Sequence, residues 1–147
     1  PGEGGAESEM AAIAAAANVE GTIDEAKLRF VARYQFESGR SQTVYVHATD
    51  RVEQGEIVTV YSPCLKVKQG LLGGLSKDLA VELLRWNESL RFARFALWEH
   101  AEEPVVVASL DHLLQTLDPP ELSLSIDWVV RAAEEFEKRH AKGADHF

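Results

Sequence analysis

The stretch Leu28-Arg29-Phe30-Val31-Ala32-Arg33-Tyr34-Gln35-Phe36 decides the fold. Leu28, Phe30, Ala32, Tyr34 and Phe36 alternate with Arg29, Val31, Arg33 and Gln35, and a period of two is that of a strand with one apolar face. Glu37-Ser38-Gly39-Arg40 supplies turn chemistry, so Thr43 to His47 reads as the return strand of a hairpin. A turn at Glu53-Gln54-Gly55 introduces a third strand, Ile57 to Tyr61, β-branched almost throughout. Three strands with short links form an antiparallel meander. Ser62-Pro63 is expected to close it, because proline cannot donate to a central ladder.

Upstream, Glu7 to Asn18 is rich in good helix formers, with Met10, Ile13 and Ala17 on one side and Gly21 as the stop. Pro1 to Gly5 reads as a flexible, cropped start without an initiator methionine. Downstream, a loop through Gly70, Gly73 and Gly74 leads to Ser76, an N-cap, and to a helix ending near Asn87. Its stripe Leu75, Leu79, Leu83 and Trp86 is widened by Ala80, Val81 and Leu84 beyond what one sheet covers. Leu90 to Trp98 and Pro104 to Leu110 read as a second hairpin joined through His100 to Glu103. Asp118-Pro119-Pro120-Glu121 opens a last helix that runs to about His140, with Leu122, Ile126, Val129, Val130, Ala133 and Phe136 inward. On that reading Glu134, Glu135, Glu137, Lys138 and Arg139 face water, and Ala141 to Phe147 frays. The expected fold is α+β: one domain over residues 1–147, with an antiparallel five-stranded sheet and helices in the order α-β-β-β-α-β-β-α.

At 147 residues, 46% apolar and 27% charged, the chain is long enough for one real core. Fifteen basic against 24 acidic residues give a net charge of −9, which repels phosphate backbones and anionic lipids at long range. Direct nucleic-acid binding is therefore disfavoured, and Arg29, Arg33 and Arg40 read as a solvated strand face. Cys64 is the only cysteine, so no internal disulfide is possible and a reducing cytoplasm is the expected setting. No apolar run approaches the roughly 20 residues of a membrane span.

No catalytic, metal or cofactor residue is expected. His47, His100, His112, His140 and His146 lack the helical spacing of a metal pair, and His140, Asp145 and His146 sit at an end too costly to order. Cys64 reads as a half-buried structural thiol. Gln69 to Lys77 has serine before lysine, the wrong order for a phosphate loop. Glu102 with Glu103 and Glu134 with Glu135 read as wetted solubility charges. The strands from Ile57 onward are apolar on both faces, a surplus rare on a soluble monomer. A second copy is the expected cover, over an interface of Leu83, Trp86, Phe92, Phe95, Leu97 and Trp98. The rival readings are a ligand-binding module or enzyme with that surplus as its pocket, and an accessory to a DNA-binding protein.

Leu84-Arg85-Trp86-Asn87, Leu90 to Leu97, Leu117 to Glu121 and Asp127 to Glu135 resemble the YbjN-like proteins, described as bacterial sensory transduction regulators. The resemblance covers roughly Leu28 to His140. It implies a fold like that of type III secretion chaperones, a homodimer without catalytic residues, and a role as chaperone or regulatory adaptor whose sheet and helix surfaces grip a partner protein.

Overall fold

The computed structural model describes residues 5–67, 74–99 and 103–140. The expected flexible start up to Gly4, most of the glycine loop, the turn at His100 to Glu102 and the tail from Ala141 lie outside the described residues. Three helices, α1 (Ala6–Ala16), α2 (Lys77–Ser89) and α3 (Pro119–His140), accompany six strands, β1 (Gly21–Asp24), β2 (Arg29–Gln35), β3 (Ser41–Val52), β4 (Gly55–Lys66), β5 (Arg94–Trp98) and β6 (Val105–Leu113). The strands form one antiparallel open sheet in the order β1-β2-β3-β4-β6-β5.

The sheet has six strands, not five. Gly21, read from sequence as a helix stop, begins β1, which pairs with Arg29 to Ala32 of β2. The missing side chain is what admits the strand, since a Cβ at Gly21 would collide with the Val31 carbonyl oxygen and the Phe30 ring. With one large apolar residue in four, Gly21-Thr22-Ile23-Asp24 has no alternation to detect.

Pro63 does not end the meander either. It lies inside β4, and the register slips between Pro63 and Leu65 against β6. Pro63 still pairs with Val107 and Cys64 is the residue left out, so the proline lies at the edge of a bulge, where a missing N–H is tolerated in a central strand. Residues 90–93, expected to begin β5, instead leave α2 and turn tightly before the strand starts at Arg94.

The starts of α2 and α3 are as their residues dictate. Ser76 Oγ accepts from Leu79 N at 3.2 Å. Asp118 and Glu121 form a capping box, with Glu121 N to Asp118 Oδ1 at 2.8 Å and Asp118 N to Glu121 Oε2 at 3.3 Å.

The core lies between one face of the sheet and α1 and α3. Val44, Val46, Val58, Val60 and Val106 rise from the strands to meet Leu122, Val129 and Phe136 of α3 and Met10 and Ala14 of α1. Helix α2 is peripheral: Leu83 is its one buried residue, and Leu84 is 70% exposed. Among the described residues, no helix covers the other face of the sheet.

Candidate functional site

The uncovered face shields itself with an aromatic ladder. Tyr45 and Tyr61 are register partners whose rings stack at 5.1 Å, and Trp98 tilts onto Tyr61 at 4.5 Å. Trp98 pairs with Val105 and Tyr61 with Ser109, so Val107 lies between them on β6 and is fully buried without belonging to the helix-side core. Arg29 ends the ladder: its guanidinium lies 3.9 Å from the Tyr45 ring centre, donates to Tyr61 Oη at 2.7 Å and donates to Asp24 Oδ2 at 3.2 Å. Burial pushes the Tyr61 hydroxyl above its ordinary range, against the pull of Arg29. Burial and then Arg29 push His47 below its ordinary value. For Asp24 desolvation is the largest single effect and raises the carboxyl, but donation from Lys27 N and Arg29 together with the Arg29 charge outweighs it, and the carboxyl is lowered.

The six residues expected at an interface separate in space. Leu83, Trp86, Phe95 and Leu97 fill the seam between α2 and the helix side of the sheet. Phe95 is buried, 4.8 Å from the Trp86 ring and 5.7 Å from Phe136, and Arg139 sits 4.0 Å over Trp86. Leu83 is buried and Leu97 packs partly buried on the same core. Trp98 is on the opposite face, in the ladder. Only Phe92 remains free of the core, at 63% exposure.

Asn87 explains how this seam is sealed. Its side chain donates to Phe95 O at 3.1 Å and accepts from Phe95 N at 2.8 Å, standing in for a seventh strand at the β5 edge. Beyond it, Ala93 N donates to Arg91 O at 2.6 Å, closing a three-residue turn about Phe92, whose φ is 61°. Such a turn is strained for any residue with a side chain. The Phe92 ring lies 5.9 Å from Trp128 and walls a groove of about 480 Å³ with Leu110, Leu124, Arg94, Asp111 and Glu121. Leu124 is 46% exposed there.

His112 and Ser125 meet at the base of this groove, Nε2 to Oγ at 2.7 Å. Ser125 Oγ also lies 2.6 Å from Glu121 O, four residues back on α3, and only the hydroxyl hydrogen can bridge those two oxygens. His112 must then donate to Ser125, which leaves it unable to take the serine proton as a general base. The pair holds β6 to α3 rather than activating a nucleophile.

The last helix departs from its expected wet face. Glu134 and Glu137 are 3% and 0% exposed. Arg40 donates to Glu134 and, at 3.4 Å, to Glu137, while Gln42 Nε2 donates to both carboxylates at 3.1 and 2.8 Å. Ser62 donates at 3.2 Å to Gln42 Oε1. Arg40 is therefore no member of a solvated strand face, and Arg29, tied into the ladder, is not one either. Cys64 is buried rather than half-buried, and burial raises its thiol far beyond the range in which a thiolate forms. Among the described residues, no three His, Cys, Asp or Glu side chains converge to hold a metal ion, and no helix is long and apolar enough to cross a membrane.

A wider cleft, about 890 Å³, opens between the end of α1, β2 and α3. The polar groups at its rim satisfy one another: Tyr34 Oη donates to Asp127 at 3.2 Å, and Arg131 reaches Asp127 at 2.8 Å and Tyr34 at 3.3 Å. Asp127 in turn raises the Arg131 guanidinium.

No protein-family model and no curated protein matches this chain. The geometry alone must then carry the functional reading. Sequence patterns missed Asn87, the His112–Ser125 pair and the Arg40 cluster, because each joins elements that are distant or bent relative to one another. The Asp118–Glu121 box is local, and the sequence marked its place as a proline-bearing helix start without showing the reciprocal bonds.

Proposed function

We propose that this chain is a non-catalytic, homodimeric protein-binding module of the YbjN and secretion-chaperone-like type, acting in a reducing cytoplasm as a chaperone or regulatory adaptor. One observation carries the reading: among the described residues, Phe92 and Leu124, two of the three large apolar side chains left exposed in the second half, line one groove, and the third, Leu84, is exposed on α2. Exposed apolar groups gathered this way mark contact surfaces. The groups that might speak for an enzyme are committed elsewhere, with Ser125 bonded to its own helix and Cys64 sealed in the core. Apart from the added β1, the order of elements from α1 to α3 is that of the resemblance, α-β-β-β-α-β-β-α.

Light scattering tests the assembly directly. At micromolar concentration the expected mass is twice the 16.3 kDa of the chain, and a monomer mass overturns the homodimer. Recovery of a partner from native cells by immobilised wild type, compared with Trp98→Ala, tests the binding role. Loss of a specific partner with the dimer intact assigns the ladder face to that partner, whereas equal recovery by both removes that face from the reading.

A further inference from the structure

We infer that a second copy of this chain docks on the Phe92 groove across a two-fold axis, each Phe92 entering the groove of the other copy. The inference rests on the homodimer reading and gives it a location that differs from the α2–β5 seam. That seam is already filled, since Phe95, Trp86 and Leu83 spend their surface on the core and Asn87 occupies the Phe95 edge. Phe92 instead stays 63% exposed, with its ring beside Trp128. The i→i+2 turn with positive φ holds it out from the groove that it borders, and strain kept at a bulky exposed residue points to a role outside the fold.

The occupant follows from what the groove holds. It places an apolar knob, Phe92, beside an apolar hollow floored by Leu110 and walled by Leu124. It also places a cation, Arg94, beside two carboxylates, Asp111 and Glu121, yet none of the ion pairs among the described residues involves any of the three. Arg94 is held through one nitrogen by Leu90 O at 3.0 Å and Ala93 O at 2.7 Å, which leaves the rest of its fork directed outward. A patch with a knob next to its own hole and a positive group next to negative ones is complementary to itself. Two-fold symmetry satisfies both halves at once, residue by residue, which no asymmetric ligand of single charge does.

The test uses the full chain and sedimentation equilibrium. Phe92→Gly is expected to weaken self-association by about 100-fold, as removal of a central aromatic anchor does. Arg94→Glu and Glu121→Arg should each weaken it by about tenfold through like-charge contacts, with Asp118 still capping α3 in the latter. Mixing the two charge variants at equal concentration should restore a dimer of wild-type affinity, because each copy then meets its complement; this outcome is specific to a two-fold contact through these residues. A wild-type monomer overturns this docking and the homodimer reading together. A wild-type dimer that survives Phe92→Gly and Arg94→Glu but dissociates on Leu84→Glu overturns the groove alone and assigns the dimer to α2. Circular dichroism of Arg94→Glu, an exposed side chain, guards against loss of fold being read as loss of contact.

Discussion

Phe92 and Phe95 stand three positions apart and do opposite work. Phe95 is buried among Trp86 and Phe136, so Phe95→Arg places a charge in the core and is expected to cost more than about 3 kcal/mol, measured by urea unfolding. Phe92→Gly relieves roughly 1–2 kcal/mol of left-handed strain while giving up a partial contact and adding chain entropy. The two effects offset, and its unfolding midpoint should stay near that of the wild type. Asn87→Ala leaves the Phe95 edge without its two bonds and should cost about 1–2 kcal/mol in the same assay. Residue type marks Phe95 and Trp86 for burial; the expected cover is a second copy, and this chain's own core buries Phe95 and partly buries Trp86. Residue type could not choose between the two, because the choice is made by α2 folding back on β5, and the intervening loop carries no periodic signal.

Among the elements, the long periodic ones were readable and the short or interrupted ones were not. The alternation in β2 and the helical stripe of α3 each span several repeats, so one discordant residue does not hide them. β1 has four residues and β4 contains a proline at a bulge, features that a period of two either misses or rejects. β1 is also the element most easily detached, being an edge strand bonded on one side. Gly21→Ala should therefore speed amide hydrogen exchange by at least tenfold at the β1 amides that face β2, alternate residues of the strand, while leaving Val46 and Val60 protected, since the collision with Val31 and Phe30 is relieved by local opening. Equal acceleration in the central strands would mean that β1 is integral to the global unit.

For the molecule as a whole, the acidic balance of −9 was legible but its internal use was not. Two of the carboxylates lie in the interior and tie α3 to β3, with Arg40 and Gln42 bonding residues more than ninety positions away. Contacts of that separation leave no mark on local sequence, and a surface pattern of Glu134-Glu135 reads as solvated until the strand opposite is known. The consequence can be tested by removing one side. Arg40→Met strips the cation from two buried carboxylates, which is costly because their desolvation is no longer offset, and the expected loss is about 3–5 kcal/mol. Adding Glu134→Gln removes one of the stranded charges and keeps an acceptor for Gln42. The double variant should then be more stable than Arg40→Met alone, by at least about 1 kcal/mol in urea unfolding. If instead the two losses simply add, Arg40 contributes through its stem packing, and the carboxylates are held by Gln42 and their other neighbours without it. His47, half-buried beside Arg29 on the ladder face, gives the fold an acid-sensitive side. Its proton affinity is depressed in the folded state, so below its ordinary value of 6.5 the unfolded chain takes up the proton first and stability falls. His47→Gln should flatten the wild-type decline between pH 7 and about pH 5, and an unchanged slope would assign that decline to the carboxylates instead.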